Sequence, residues 1–388
     1  MRNATTYEGW RQPTHDRVSP QAKKIAEILA LADIKLNGPR GCDIQVHNPS
    51  FFNRVLADGS VGLGESYMDG WWDVPALDEF FARLRSAQLN KKVGGWYTTW
   101  LAVKSRLINL QTTSRSSEVA QKHYDLGNDL YEAMLDSRMQ YTCAYWPLAT
   151  TLDQAQRNKL DLICRKLKLE SGMTILELGS GFGGFARYAA EEYGCHVVSY
   201  NISHEQIVYA REQCQGLPVR FEEQDYREAI KEEPVDRVVS IGLCEHIGYK
   251  NYRNFFELAH ACLKPHGLFL LHTIGANESS TYTDPWIHKY IFPNGLIPSI
   301  EQLGQAMENL LVVEDWHNFG PDYDRTCMAW WENFNQAWPN LRERYGDRFY
   351  RMWKYYLMAS AGSFRARVLQ LWQIVLSKGD ISSYVPVR

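Results

Sequence analysis

The chain has 388 residues, 45% hydrophobic and 22% charged; these are the proportions of a folded globular protein of two or three domains and exclude disordered, collagen-like and coiled-coil classes. Lys and Arg number 42 against 45 Asp and Glu, a net charge of −3, without the global basic field of non-specific nucleic-acid binding, so no nucleic-acid partner is expected. Eight cysteines with no C-x-x-C pair fit reduced cytosolic thiols better than a metal cluster or disulfide framework, and no stretch approaches the ~20 apolar residues of a membrane span. In chain order, the first residues lack the apolar region of a signal peptide. From Pro20 to about Leu110 short helical patterns mix with glycine-punctuated turns, as in 61–70, and read as a small α+β domain. After Asp73, placed as an N-cap near Pro75, the spacing of Leu77, Phe80, Phe81 and Leu84 predicts a helix with one apolar face.

Over 96–110, Trp96, Trp100, Val103, Leu107 and Leu110 recur at helical spacing, with Lys91, Lys92, Lys104 and Arg106 nearby. Two readings stay open: docking on an anionic bilayer, or packing into a core. The polar stretch 111–117 reads as a linker, and 118–152 is rich in aromatic and acidic residues. The 13% aromatic content overall suits a protein that handles apolar ligands or meets a membrane surface. Beyond 160, apolar runs at 173–178, 196–200, 219–222, 237–242, 268–273, 310–316 and 368–375 are mostly separated by helix-length segments. They predict an α/β, doubly wound, mainly parallel sheet, with an antiparallel strand possible in the closing pair.

The strongest local signal is TILELGSGFGGF at 174–185, a strand running into Gly179, Gly181 and Gly183 and then a helix. Taken alone, the glycines fit a dinucleotide or S-adenosylmethionine. A dinucleotide site calls for G-x-G-x-x-G with an acid about 20 residues on. Here Glu177 precedes the glycines, and the second strand closes on Tyr200 and Asn201 without a carboxylate. This arrangement resembles the first motif of class I S-adenosylmethionine-dependent methyltransferases. The resemblance implies a Rossmann-like domain in which Glu177 organises the loop, Asn201 faces the ribose, and Gln224, Asp225 and Tyr226 frame the adenine. Ligands of such sheets lie beyond the strands' carboxyl ends, where the fourth strand delivers Glu245 and His246 and the fifth His272 to Ile274. A glutamate and a histidine brought close there can shift each other's pKa and act as acid, base or anion site, or can support the loops as a satisfied polar cluster.

Seven segments carry a more specific resemblance: GLGESYMDGWW at 62–72, HYDLGN at 123–128, QYTCAYW at 140–146, CEHIG at 244–248, HTIG at 272–275, DPWIHKYIFP at 284–293 and DWHNFG at 315–320. They are similar to segments of bacterial cyclopropane-fatty-acyl-phospholipid synthases, throughout nearly the whole chain. The resemblance implies an enzyme that takes a methylene carbon from S-adenosylmethionine and forms a cyclopropane at the cis double bond of an unsaturated phospholipid acyl chain, with bicarbonate as base. By residue, it implies an ion site of Cys143, Glu245, His272, Ile274 and Tyr323, partly through backbone atoms. It also implies a cofactor site of Tyr141, Thr142, Gly179, Asn201, Gln206, Asp225 and Tyr226 on the glycine loop. The same likeness implies a lipid-interaction domain over 1–110, a catalytic domain over 118–388 whose segment 118–152 covers the site, a homodimer, and peripheral attachment to the membrane's inner face from the cytoplasm.

An alkene is a poor nucleophile, so the chemistry wants a strong, enclosed electrophile, aromatic faces and a negative site for the resulting cation, and a base as the ring closes. Cys143 reads as a packing residue beside the ion. The chain departs from the family at Ser180 and Phe182, where Cys and Trp are usual, and at Asn201, where Thr is common. Alkene methylation without ring closure, another small-molecule acceptor, and non-catalytic lipid binding remain as alternatives. Arg365 and Arg367 either meet a phosphate or serve structurally.

Overall fold

A computed structural model of the chain describes residues 19–89 and 127–388. The tryptophan-bearing stretch 96–110, the linker 111–117 and the opening of 118–152, with His123, lie outside the described residues. Among those described, no helix is long and apolar enough to cross a membrane.

The N-terminal lobe begins with α1 (Pro20–Ala30), capped by the Ser19 hydroxyl, which accepts from the Ala22 N–H at 3.1 Å. Strand β1 (Gln45–Val46) precedes α2 (Ser50–Met68); β2 (Trp72–Asp73) pairs antiparallel with β1, and α3 (Leu77–Ser86) follows. Two sequence expectations shift here. Of the glycines in 61–70, Gly70 sits in a turn as expected (φ 74°), whereas Gly62 and Gly64 lie inside α2, which breaks at Gly59 (φ 57°). Close packing explains Gly64, since a Cβ there would meet the indole of Trp286 at 2.3 Å. Asp73 does not cap α3, which starts after Ala76 without a side-chain cap. Its carboxylate is taken by Arg351 at 2.8 Å and His47 at 3.0 Å. Leu77, Phe80 and Phe81 are buried as the periodicity requires.

The second part opens with α4 (Asn128–Met134) and α5 (Leu152–Lys166). Then follow β3 (Thr174–Leu178), α6 (Gly184–Tyr193), β4 (His196–Asn201), α7 (His204–Gln213), β5 (Val219–Glu223) and β6 (Val235–Ile241). The chain continues through α8 (Cys244–Ile247), α9 (Tyr252–Cys262), β7 (Leu263–Ala276), α10 (Pro285–Tyr290) and α11 (Ile300–Met307). It closes with β8 (Val312–Asn318), α12 (Pro321–Arg365) and β9 (Leu369–Ser377). The sheet runs β5-β4-β3-β6-β7-β9-β8, its first five strands parallel and β9 antiparallel to both neighbours. Successive strand residues alternate between two apolar cores. Leu176, Val238 and Phe269 face the core under α9 and α11, whereas Ile175, Val239 and Leu270 face that under α5, α6 and α7.

A third core joins the lobe to the sheet. Trp72, Phe80 and Phe81 pack with Tyr355, Trp353 and Trp330 of α12. Each such ring contributes roughly 2–3 kcal/mol on burial. Arg351 reinforces this contact by donating to the Trp72 carbonyl at 2.9 Å, and Arg365 by bridging Asp78 (2.6 Å) and Asp324 (2.9 Å). Arg367 bonds Gln370 at 2.8 Å, so both C-terminal arginines have structural partners.

Candidate functional site

The glycine loop between β3 and α6 holds Gly179, Gly181 and Gly183 at φ 89°, 51° and 80°, the left-handed region that disfavours other residues. The Gly179 and Ser180 N–H groups donate to the Tyr200 carbonyl at 3.0 and 3.1 Å, tying the loop to β4. A methyl added at Gly181 would meet nothing within 4 Å, whereas one at Gly183 would strike Ala210 at 2.8 Å. Gly181 therefore leaves space for a ligand, and Gly183 serves helix packing. The Asn201 amide donates to the Gly181 carbonyl (3.1 Å) and to Gln206 Oε1 (2.9 Å), so it braces the loop from the end of β4. Asp225 accepts from the Arg227 backbone N–H at 3.0 Å and from its guanidinium at 2.9 Å, and Tyr226 packs edge-on to Phe255.

Beneath the loop lies a buried network. Glu177 accepts from the Ser199 hydroxyl, and burial pushes its carboxyl well up. Lys159 of α5, fully buried and pushed down by that burial, donates to Gln140 Oε1 and to Thr142 Oγ1 (3.0 Å). Gln156 donates to the Thr142 carbonyl at 2.8 Å. Helix α5 thus holds the strip carrying Tyr141, whose hydroxyl donates to that of Tyr356 at 2.9 Å. Sequence reasoning missed Lys159, Gln156 and Tyr356. A signal existed for the first: Lys159 interrupts the buried stripe Ala155, Leu160 and Ile163 of an amphipathic helix.

Beyond β6 and β7 the second cluster gathers. Glu245 Oε1 accepts from the Ile274 N–H at 2.7 Å, while its Oε2 is sealed from solvent and has no partner among the described residues. Burial is the main cause of its carboxyl being pushed up to about 7. His272 sits opposite Gln373 in the β7–β9 register, and its Nδ1 faces Gln373 Nε2 at 3.3 Å. Its Nε2 is likewise buried without a partner. Burial, and then the charges of Lys159 and Lys166, hold His272 well below its ordinary pKa, so the ring is neutral at pH 7. Gln373 Nε2 as the donor to Nδ1 corresponds to the tautomer that carries its proton on Nε2, and Gln373 Oε1 is also buried without a partner among the described residues.

Tyr323 stacks on Phe364 at 4.4 Å; burial, then Cys327, Cys143 and Glu245, raise its phenol well above its ordinary value. Those shared influences put Cys143, Glu245 and Tyr323 in one neighbourhood. The Cys143 thiol, pushed up by burial, donates to the Ala144 carbonyl at 3.2 Å, in keeping with a packing role. His246 stands apart from Glu245: burial alone pushes it down to about 4, and the mutual pKa shift that their adjacency suggested is absent because the two do not face each other as a pair.

One cavity of about 1520 Å³ connects these features. Tyr141, Thr142, Gly179, Gly181, Asn201, Gln206, Asp225, Tyr226, Glu245, Ile274 and Tyr323 all line it; Gly183, Cys143 and His272 lie behind its wall. From Glu245 it continues past Tyr355 and Tyr356 into the lobe, between Ile25, Leu29, Phe51, Val55, Phe80 and Phe81. A polar, glycine-cradled end and a long apolar end match a polar small molecule beside an aliphatic chain.

The mycolic acid cyclopropane synthetase family matches residues 111–374. A cyclopropane-fatty-acyl-phospholipid synthase from Escherichia coli (strain K12) is 51% identical over 354 residues, covering 91% of this chain and 92% of that one. Among solved structures, the cyclopropane synthase MmaA2 from Mycobacterium tuberculosis aligns with TM-score 0.63 at 30% identity, over 68% of this chain and 98% of that one. The mycolic acid cyclopropane synthase CmaA1 complexed with SAH and CTAB aligns with TM-score 0.62 at 31% identity, over the same shares, 68% and 98%.

Proposed function

This chain belongs to the mycolic acid cyclopropane synthetase family and is an S-adenosylmethionine-dependent enzyme that cyclopropanates unsaturated lipid chains; we propose that the Glu245 cluster, with a bicarbonate ion, is where the ring closes. The observation carrying this reading is the pair of sealed, unpartnered atoms, Glu245 Oε2 and His272 Nε2. Buried polar atoms without partners are rare and costly. A carboxyl acceptor at Glu245 and an imidazole nitrogen at His272 suit an ion that both donates and accepts, and Tyr323 adds a hydroxyl. Ile274 contributes through its backbone, by fixing Glu245.

S-adenosylmethionine supplies an electrophilic methyl group, and the open side of Gly181 fits its close approach. Asn201 and Gln206 brace the loop, Asp225 and Tyr226 wall the adenine end, and Tyr141 and Thr142 close the site from above Lys159. The apolar lobe end orients an acyl chain and keeps water out. Where a cation develops on the former alkene, the faces of Tyr141, Tyr323 and Tyr356 and the polar Glu245 cluster stabilise it. Bicarbonate supplies the base for the final proton, with Glu245 and His272 holding it in place. Peripheral docking on an anionic bilayer at the cytoplasmic face and assembly as a homodimer belong to the same proposal.

The deciding experiment incubates purified protein with S-adenosylmethionine and vesicles of a cis-monounsaturated phospholipid, then locates the added carbon by mass spectrometry and NMR. Ring protons with loss of olefinic signal support the reading. A retained alkene bearing a new methyl refutes ring closure. Bicarbonate depletion is expected to slow turnover reversibly, and unchanged turnover removes the ion.

A further inference from the structure

The lobe end of the cavity carries a charge pattern that the ring-forming chemistry does not use. Its charged lining residues are Lys24 of α1, Asp58 of α2 and Arg85 of α3. Other lobe arginines have carboxylate partners: Arg40 with Asp33 and Asp43, Arg54 with Glu65 and Asp69, Arg83 with Asp33 and Glu79. At the opposite end of the cavity Arg227 is matched by Asp225. Lys24 and Arg85 have no hydrogen bond or ion pair among the described residues, although Arg85 is half-buried and its charge reaches the buried Tyr355 phenol. The wall between them and Glu245 is mainly aliphatic and aromatic, with Asp284, Thr283, Ser360 and Ser363 as polar members.

A half-buried guanidinium without a partner, at the mouth of an apolar cavity, calls for an anion with an aliphatic tail. We propose that Arg85 and Lys24 bind the phosphodiester of the glycerophospholipid substrate, anchoring it at the lobe mouth while its acyl chain runs inward toward Glu245. The proposal rests on the lipid-modifying reading above and adds how the lipid is recognised. The arginine fork matches two phosphate oxygens, and the lysine, exposed at the mouth, adds a mobile charge. Both contacts address the phosphate, so the site separates phospholipids from neutral diacylglycerols and is indifferent to the alcohol beyond the phosphate.

The test is calorimetric and independent of turnover. The full-length protein, R85Q and K24Q/R85Q are titrated with dihexanoylphosphatidylcholine below its micellar concentration, with dihexanoylglycerol, with inorganic phosphate and with S-adenosylmethionine. The double variant is expected to lose about tenfold in affinity for the phosphatidylcholine, with affinity for dihexanoylglycerol and S-adenosylmethionine unchanged. R85K, which keeps the charge and loses the fork, is expected to fall between. Equal loss for both lipids, or no loss for either, overturns the phosphate site. Displacement of the short-chain lipid by inorganic phosphate at comparable concentration overturns lipid in favour of a free-phosphate site. If wild type binds the phosphatidylcholine through Arg85 yet forms no ring in oleoyl vesicles, the anchor stands and the cyclopropanation reading falls.

Discussion

Replacing Glu245 with Gln tests the buried carboxyl by both function and stability. The substitution keeps Oε1 as acceptor for the Ile274 N–H and puts an uncharged amide at the sealed Oε2 position. In the folded protein the carboxyl is pushed up to about 7, chiefly by burial, from an ordinary 4.5. The folded state therefore holds this proton more tightly than the unfolded chain does. The stabilisation is complete below the unfolded value and is lost as pH rises through the folded one. Between pH 5 and pH 8 the linkage relation gives a loss of about 2.5 kcal/mol in the wild type. Glutamine does not titrate, so the stability of E245Q relative to wild type should rise by about that amount over the same interval. Urea denaturation of both proteins at each pH, without added ligands, measures the difference directly; in melting temperature the shift is about 3 °C. Other titrating groups cancel in the comparison. Parallel stability profiles would refute the claim that this carboxyl is ionised at a cost in the free enzyme. The same variant is expected to bind S-adenosylmethionine normally and to lose about 100-fold or more in turnover.

Ala at Gly181 forces a left-handed alanine, costing about 1 kcal/mol, and projects a methyl into open cavity; a roughly tenfold weaker S-adenosylmethionine affinity by calorimetry is expected, with only a small change in melting temperature. Ala at Gly183, 2.8 Å from Ala210, is expected to lower the melting temperature more than G181A does. Lys159→Met removes a buried cation whose pKa burial depresses from 10.5 to about 8. The folded state disfavours that charge, so wild type gains stability as pH rises from 8 towards 10.5. The variant should not, while its KM for S-adenosylmethionine rises several-fold as Gln140 and Thr142 lose their donor. An unchanged KM separates Lys159 from cofactor positioning. Arg365→Met breaks the bridge from Asp78 to Asp324. With that side chain one-third exposed, a loss of about 1 kcal/mol in urea is expected, and unchanged stability excludes a contribution from the bridge.

Much of the sheet-bearing half was legible because its signals are local. Apolar runs of strand length with intervening helices, and glycines that alone tolerate positive φ at 179, 181 and 183, are read within a few residues of one another. The positions of Glu245 and Ile274 were equally accessible, since a parallel strand delivers its carboxyl end to a known edge. Signals in the lobe were ambiguous: a glycine inside α2 and a glycine in a turn look alike until Trp286 is seen resting on Gly64. Asp73 has the composition of a helix cap, yet two distant partners, His47 and Arg351, claim its carboxylate.

By itself the sequence determined a mainly parallel α/β sheet, though not its strand order, together with the glycine loop and the set of residue types available for acid, base and cation chemistry. Short-range sterics and hydrophobic periodicity act along the chain, so they survive without coordinates. Only the tertiary structure decided that Lys159 and Gln156 hold the Tyr141 strip, that His272 turns its neutral ring between Gln373 and an unpartnered site, and that one cavity runs from Gly181 to Arg85. Each depends on contacts between elements distant in sequence, and on burial. Burial leaves an unpartnered carboxylate or guanidinium energetically conspicuous, a property that no local pattern of residues records.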